Sequence, residues 1–258
     1  MHVVKVKLGL ESNIPWPNIF IGMTMINTIR QRISYNDFHH KIKNSDNFSF
    51  ARYNDGEWGL ILKKNPNYSV ICGRWGEEMS KQGEILKEIV NNPVDYYIGI
   101  SPWVLKNWLD EMLNNSSNHD MMINSHIFHD LGKEEFLNFL NLLKQRNTIL
   151  VGPEYLSKLD FFKEHVITPE EFVWDHIENL LPKLDKVVNQ YENPVVIYSA
   201  SIATNSFIHK LYDKYGKKIT QIDIGSTLDP YCGVASRSGH QKFMNDENIE
   251  IKKIVTKK

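Results

Sequence analysis

FSFARYNDGEW (residues 48–58) is the stretch of the sequence that predicts a core strand with a polar site at its end. Phe48 and Phe50 alternate with small residues, which is typical of a short strand entering a core. Asn and Gly tolerate positive φ, so NDG at 54–56 predicts a tight turn directly after that strand. Trp58 then begins an apolar run that predicts a helix, whose first amides would point back at the turn.

Two carboxylates flank the glycine of this turn, Asp55 and Glu57, and Arg52 precedes them. In an Asp-x-Glu spacing the two side chains can converge on one hard cation. They are too few to enclose a metal, but they suit Mg²⁺ or Mn²⁺ that keeps its waters and takes further ligands from a diphosphate. The alternative interpretation is an ordinary surface turn in which Arg52 pairs with Glu57.

The string SFARYNDGE (residues 49–57) resembles the Arg-Tyr-Gly-Asp-Gly-Glu signature of the GT-D-fold glycosyltransferases. Asn54 stands where that family usually has glycine, and Asn visits the left-handed region more readily than other residues with a side chain. The resemblance implies a metal ion at Asp55 and Glu57. It also implies that Arg52, Tyr53 and Asp55 contact the substrate.

The length and composition are those of an ordinary globular protein. With 258 residues, 41% of them hydrophobic and 24% charged, the sequence predicts one α/β domain spanning 1–258. Residues 1–22, interrupted by two prolines, are expected to form an N-terminal arm, and the charged residues 243–258 a C-terminal tail.

Charge and cysteine usage exclude several classes of function. A formal net charge of −1 provides no overall attraction to nucleic acid or to an anionic membrane, so phosphate binding must be local. Cys72 and Cys232 lack the spacing of a disulfide framework or a zinc site, which favours a reducing compartment. The sequence has no apolar leader and no run of roughly 20 apolar residues, so we expect a cytoplasmic protein without a transmembrane segment.

Helical patterns alternate with short apolar runs along the chain, an order that predicts a mostly parallel, Rossmann-like sheet flanked by helices. After the first strand, further strands are predicted at 95–102, 121–126, 147–153, 194–198 and 218–225. Helices are predicted at 23–43, 74–91, 103–113, 131–145, 169–188 and 205–215. In such a sheet, ligands bind at the carboxyl ends of the strands.

A loop of small residues, SASIAT at 199–204, joins a predicted strand to a predicted helix. Small residues let amides at a helix N-terminus approach a phosphate, and Ser199, Ser201 and Thr204 can add hydroxyl donors. The loop is no P-loop, because the Gly-Lys-Ser/Thr element is missing. The alternative interpretation is plain strand and helix packing.

The last predicted strand and its loop, residues 218–233, also resemble the GT-D pattern, in which a nucleotide-binding half ends in an Asp-x-Gly strand. Asp223 is interpreted as a ribose-binding or structural acceptor, and Ser226 as a further substrate contact. Arg237, beyond that loop, is placed to hold a diphosphate.

A base that deprotonates an acceptor hydroxyl must lie in the crevice but away from the metal, because a metal-bound carboxylate has little basicity. Asp229 fits this requirement best, and His240 is the alternative base. Asp229 followed by proline can equally be a structural turn.

His126 and His129 form a pair near the end of a predicted strand. Only Asp130 adjoins them, and no further ligand is spaced for zinc. The spacing therefore favours loop histidines that pack or form hydrogen bonds over metal ligands. The alternative interpretation is that they donate to a substrate hydroxyl or phosphate.

Three functional hypotheses follow. The leading one is a metal-assisted glycosyltransferase that moves a sugar from a nucleotide sugar, a uridine diphosphate sugar, to a glycan or other hydroxyl acceptor. A metal-dependent phosphoesterase or nucleotidyltransferase is the second, since carboxylates and arginine serve phosphoryl transfer equally well. A non-catalytic module that binds nucleotide sugars is the third.

Overall fold

The computed structural model of the chain describes residues 27–29, 31–64, 77–237, 240, 241 and 244. The predicted arm at 1–22 lies outside these residues, as does the predicted tail at 243–258 apart from residue 244. The described residues form a seven-stranded sheet flanked by helices, in which every strand pair is parallel. The predicted α/β, Rossmann-like fold is confirmed.

The strands are short, and most of their residues are buried, as is usual for parallel sheets covered on both faces. They are β1 (Ser49–Tyr53), β2 (Tyr97–Ile100), β3 (Met122–Asn124), β4 (Thr148–Pro153), β5 (Glu164–Thr168), β6 (Val195–Tyr198) and β7 (Thr220–Asp223). Their order across the sheet is β3-β2-β1-β7-β6-β4-β5, so the first and last strands lie side by side in the middle.

Helices cover both faces of the sheet. They are α1 (Tyr35–Asn44), α2 (Asp55–Ile61), α3 (Glu77–Asn91), α4 (Pro102–Asn107), α5 (Leu109–Asn114), α6 (Lys133–Lys144), α7 (Ile177–Val188) and α8 (Ala203–Tyr215), and residues 27–29 are also helical. Within the described part of the chain, none of the helices combines the length and the apolar character needed to cross a membrane.

Two hydrophobic clusters, one on each face, hold the layers together. On the first face, α2 to α5, α7 and α8 pack against residues such as Ala51, Ile98 and Val196. On the second face, α1 and α6 pack against Phe50, Leu150 and their neighbours. Where the next strand lies on the β3 side, the connection passes over the first face, and where it lies on the β5 side, the connection passes over the second. All the crossovers therefore have the same handedness, as is usual for parallel strands.

Several predicted boundaries are wrong, each because a local hydrogen bond or a tertiary contact overrides the apolar pattern. The helix predicted at 23–43 is interrupted before Tyr35, because Ser34 and Asp37 form a capping box that starts a new helix. The helix predicted at 169–188 begins at Ile177, because Thr168 instead completes the edge strand β5, which the sequence did not predict.

A crevice lies at the carboxyl edge of the sheet, because the chain leaves neighbouring central strands toward opposite faces. After β1 and β6 the chain continues on the first face, through α2 and α8. After β7 and β4 it continues on the second face, through the short 3-10 helices Asp229–Cys232 and Glu154–Lys158. Adjacent strands whose connections diverge in this way leave a gap between their loops, which is where ligands bind in open α/β sheets.

Candidate functional site

The crevice consists of two adjoining pockets that share residues of the β6 and β7 loops. The first, which we call the carboxylate pocket, has a volume of about 330 Å³. The second, which we call the Asp229 pocket, has about 360 Å³, and both volumes are in the range of small-molecule sites, roughly 300–1,000 Å³. The shared residues are Ser201, Gly225, Ser226 and Arg237. One extended ligand can therefore reach from one pocket into the other.

The residues after β1 form a helix start, and the predicted turn with positive φ is absent. Asn54 has an extended backbone, with φ at −92°, and is the N-cap of α2, which begins at Asp55. Oε2 of Glu57 accepts the backbone N–H of Asn54 at 2.8 Å. This capping bond satisfies an amide that the helix leaves free, so the chain needs no left-handed residue to turn here.

The carboxylates of Asp55 and Glu57 both line the carboxylate pocket. Asp55 is exposed at its rim, whereas Glu57 is half-buried. Burial raises the pKa of Glu57 to about 7, although backbone N–H groups and Arg52 favour its charged form. A cation bound at this carboxylate would relieve that cost.

The oxygen atoms at this helix start suit a hard divalent cation. The bond to Asn54 uses only Oε2 of Glu57, and Asp55 lines the same pocket. The buried side-chain oxygen Oδ1 of Asn54 has no hydrogen-bond partner among the described residues. Asp55, Glu57 and Asn54 are therefore the residues that could hold Mg²⁺ or Mn²⁺, which bind through one or two carboxylates and keep waters or phosphate oxygens.

Arg52 provides a positive charge in the same pocket. Its backbone N–H donates to Oδ2 of Asp223 at 3.2 Å, and its backbone carbonyl accepts from Asn205 in α8 at 2.9 Å. These bonds fix β1 to its neighbours, while the guanidinium lies against Gly225. The buried Nε of Arg52 has no hydrogen-bond partner within the described part of the chain, so it can donate to a bound anion.

Asp223 shapes the loop that follows β7. Its Oδ1 accepts the backbone N–H of Gly225 at 2.8 Å, and Gly225 adopts a left-handed φ of +54°. Burial raises the pKa of Asp223, an effect that the charge of Arg52 and two backbone N–H bonds oppose. Asp223 lines the carboxylate pocket beside Ser226. The structure is therefore compatible with both predicted roles of Asp223, as a ligand contact and as a structural acceptor.

The small-residue loop after β6 contributes two of its three predicted hydroxyl groups to the crevice. Ser199 lines the Asp229 pocket, and Ser201, with a left-handed φ of +54°, lines both pockets. Thr204 is fully buried in α8, outside both linings. Tyr53 is likewise fully buried, because alternation along β1 directs it into the first-face core while Arg52 faces the crevice.

Asp229 lies in the second pocket as a buried carboxylate, 3% exposed. The hydroxyl of Ser236 donates to its Oδ2, and its buried Oδ1 has no hydrogen-bond partner among the described residues. Burial raises the pKa of Asp229, an effect that Ser236, Tyr155 and the charges of His240 and Arg237 oppose. His240 is buried too, lines neither pocket, and reaches Asp229 only through Ser236, whose Oγ is 3.4 Å from its Nδ1. The geometry favours Asp229 over His240 as the base that meets a ligand.

His126 and His129 also line the carboxylate pocket, together with Asp55 and Glu57. Burial lowers the pKa of His126, although the charge of Asp130 opposes this. His126, His129 and Asp130 are the set of three His, Cys, Asp or Glu side chains in the described residues whose ligand atoms approach closely enough to share a metal ion. The sequence favoured loop histidines that pack or form hydrogen bonds, and Nδ1 of His129 is indeed 3.0 Å from Oδ1 of Asp130. Both histidines in addition line the crevice, which their spacing did not reveal.

The fold brings nine of the twelve predicted site residues to the lining of the crevice. The other three are Tyr53 and Thr204, which are fully buried, and His240, whose Nδ1 is 3.4 Å from Oγ of Ser236. Sequence reasoning missed Tyr155 and Ser236, which line the Asp229 pocket. Neither stands in a motif, so only the fold could identify them.

Comparison with protein-family profiles, with curated proteins and with solved structures gives no match for this chain. The resemblance to GT-D-fold glycosyltransferases therefore rests on the two motifs at 49–57 and 218–233.

Proposed function

We propose that this chain is a metal-assisted glycosyltransferase that uses a nucleotide-sugar donor, in the first place a uridine diphosphate sugar. One observation carries the proposal. The carboxyl edge of the sheet joins a pocket with carboxylates and an arginine to a second pocket with a buried carboxylate, and Arg237 lines both. Transfer of a sugar needs this combination, because a charged diphosphate leaves and an acceptor hydroxyl loses a proton.

The donor diphosphate belongs in the carboxylate pocket. Asp55 and Glu57, with Oδ1 of Asn54, would hold Mg²⁺ or Mn²⁺, which neutralises negative charge on the departing diphosphate. Arg52, with its unpartnered Nε, and Arg237 donate to phosphate oxygens. Ser201 and Ser226 can donate hydroxyl hydrogen bonds at the point where the pockets meet.

The acceptor hydroxyl belongs in the Asp229 pocket. In an inverting transfer its oxygen forms a bond to the anomeric carbon of the sugar, while the bond from that carbon to the diphosphate breaks and the diphosphate keeps the electron pair. The acceptor proton passes to Asp229, which is suited to accept it because burial raises its pKa and Oδ1 has no hydrogen-bond partner in the described part of the chain. Ser236, bonded to Oδ2, orients the carboxylate.

A donor screen tests the proposal. The full chain is incubated with a panel of nucleotide sugars, with and without Mn²⁺, and the products are identified by mass spectrometry. Glycosyltransferases slowly transfer their sugar to water, so we expect one donor to yield free sugar and nucleoside diphosphate.

The same screen separates the alternatives. Cleavage within the diphosphate, with release of nucleoside monophosphate and sugar phosphate, would show a phosphoesterase. A donor that raises the melting temperature without any turnover would show a binding module. Either result contradicts the glycosyltransferase proposal.

A further inference from the structure

The segment after β3 brings three potential metal ligands onto one side of a single helical turn. The backbone N–H groups of His129 and Asp130 both donate to the carbonyl of His126, at 2.9 Å each. This turn gives His126, His129 and Asp130 the spacing i, i+3 and i+4, at which side chains in a helical turn are neighbours. The backbone conformation of this turn therefore places the three side chains close together.

The turn is anchored in the core by the two residues between the histidines. Ile127 and Phe128 are buried, and the ring of Phe128 packs 5.0 Å from that of Phe139 and 5.5 Å from that of Phe38, between centroids. At its start, Oδ1 of Asn124 accepts the backbone N–H of His126 at 3.0 Å. These contacts fix the backbone that carries the three side chains, which is the kind of support that a preorganised ligand set requires.

The ligand atoms lie at distances that one ion can span. Nδ1 of His129 is 3.0 Å from Oδ1 of Asp130, and Nδ1 of His126 is 3.7 Å from Oδ2 of the same carboxylate. All three ligand atoms of the set lie within 4.8 Å of one another. Bonds of about 2.0–2.2 Å to zinc place neighbouring ligand atoms roughly 3–3.5 Å apart, close to the two distances observed here.

We propose that His126, His129 and Asp130 form a binding site for a divalent transition-metal ion of the Zn²⁺ type. Two imidazole nitrogens and one carboxylate select such an ion over Mg²⁺, which prefers oxygen. Three protein ligands leave a coordination position free, and His126 and His129 face the carboxylate pocket, so that position opens toward the crevice. The site is distinct from the oxygen ligands at Asp55 and Glu57 and does not rest on the proposed transferase activity.

Equilibrium dialysis of the full chain, with any affinity tag removed, measures this site directly. Zn²⁺ bound per chain is quantified, and Co²⁺ is used as a second probe because its visible spectrum reports nitrogen ligands. We expect one equivalent of Zn²⁺ in the wild type and loss of that equivalent in His126→Asn, His129→Asn and Asp130→Asn. Asp130 is exposed, so its variant tests the site without disturbing the core.

Two controls make the assignment specific. Substitution of the neighbouring pair His39 and His40 in α1, outside the crevice, should leave Zn²⁺ binding unchanged. The Asp55→Asn, Glu57→Gln double variant should also keep Zn²⁺, even though it is expected to lose transferase activity. The proposal is overturned if the wild type binds no more Zn²⁺ than the His129→Asn variant, or if the Asp55, Glu57 double variant loses the ion.

Discussion

Glu57 caps a helix and also presents a carboxylate to the crevice, and its pKa links these roles to pH. Its pKa is raised to about 7 in the folded chain from a usual value of 4.5, so the unfolded chain releases this proton first as pH rises. Glu57 therefore lowers the free energy of unfolding progressively between pH 4.5 and about 7, and fully above that range.

We predict that Glu57→Gln gains stability relative to the wild type over the same pH range, because Gln keeps an oxygen for the N–H of Asn54 but cannot ionise. Urea unfolding in chelator, at intervals from pH 4.5 to 8, measures the difference. Glu57→Ala is the control: it also cannot ionise, but it loses the cap, so we expect it to be about 1 kcal/mol less stable than Glu57→Gln at every pH. A wild type that becomes more stable than the Gln variant as pH rises would contradict the burial of this carboxylate.

Asp229 is predicted to act as the base, and its variant should change turnover more than binding. Asp229→Asn preserves the size of the side chain and an acceptor for Ser236, but it cannot take up a proton. We expect kcat to fall by about a hundredfold or more, with the KM for the donor little changed. If the variant keeps its turnover and loses affinity for the donor, Asp229 belongs to the nucleotide site.

The sequence predicted individual site residues where they stand in a local motif. Arg52, Asp55 and Glu57 lie within six residues of each other, so the motif alone brought them together. Ser236 and Tyr155 meet Asp229 through the packing of separate loops, which no spacing along the chain reveals. Tyr53 belongs to the motif but is buried, because the alternation of a strand directs neighbouring side chains to opposite faces.

At the scale of elements, the loop after β7 depends on a glycine that has two separable roles. Gly225 has a φ of +54°, which strains a residue with a side chain, and a Cβ there would overlap Nη1 of Arg52. Gly216, at the end of α8, has a similar φ of +56° but open space around the position of its Cβ. Both glycines therefore have a positive φ, but only Gly225 has a close contact with Arg52.

We predict that Gly225→Ala and Gly216→Ala each lower the free energy of unfolding, by about 1–3 kcal/mol, but that only Gly225→Ala weakens donor binding. The added methyl group displaces the guanidinium from the position in which it faces the carboxylate pocket. Urea unfolding and calorimetric titration with the donor measure the two effects. Equal donor affinity in both variants would show that Arg52 does not hold the diphosphate.

The sequence predicted the central strands well and the helix starts poorly. Strands β4 and β6 are continuous apolar runs, which buried parallel strands require. The edge strand β5 carries Glu164 and His165, so it lacks that signal. Two helix starts were misplaced. The start at Tyr35 depends on the local capping box of Ser34 and Asp37, whereas Thr168 is held in β5 by its pairing with Pro153 of β4.

At the scale of the whole molecule, the alternation of helices and strands was sufficient to predict a parallel sheet, and the structure has a crevice at the carboxyl edge of that sheet. It was not sufficient to predict the strand order β3-β2-β1-β7-β6-β4-β5, because that order depends on contacts between distant segments. The strand order places the loops after β1, β3, β6 and β7 around one pocket. His126 therefore lines the same pocket as Asp55 and Glu57, which the sequence did not indicate.

The central claim is that a divalent ion at the start of α2 neutralises the diphosphate that leaves a nucleotide sugar. The most direct test is the rate of nucleoside diphosphate release from the donor that the screen identifies, measured for the wild type and for Asp55→Asn, with Mn²⁺ and with excess chelator. Asp55 is exposed, so this variant is expected to fold normally.

We predict release by the wild type with Mn²⁺, none in chelator, and a rate at least about a hundredfold lower for Asp55→Asn with Mn²⁺. Release by the wild type that continues undiminished in chelator, or wild-type turnover by Asp55→Asn, would contradict the claim.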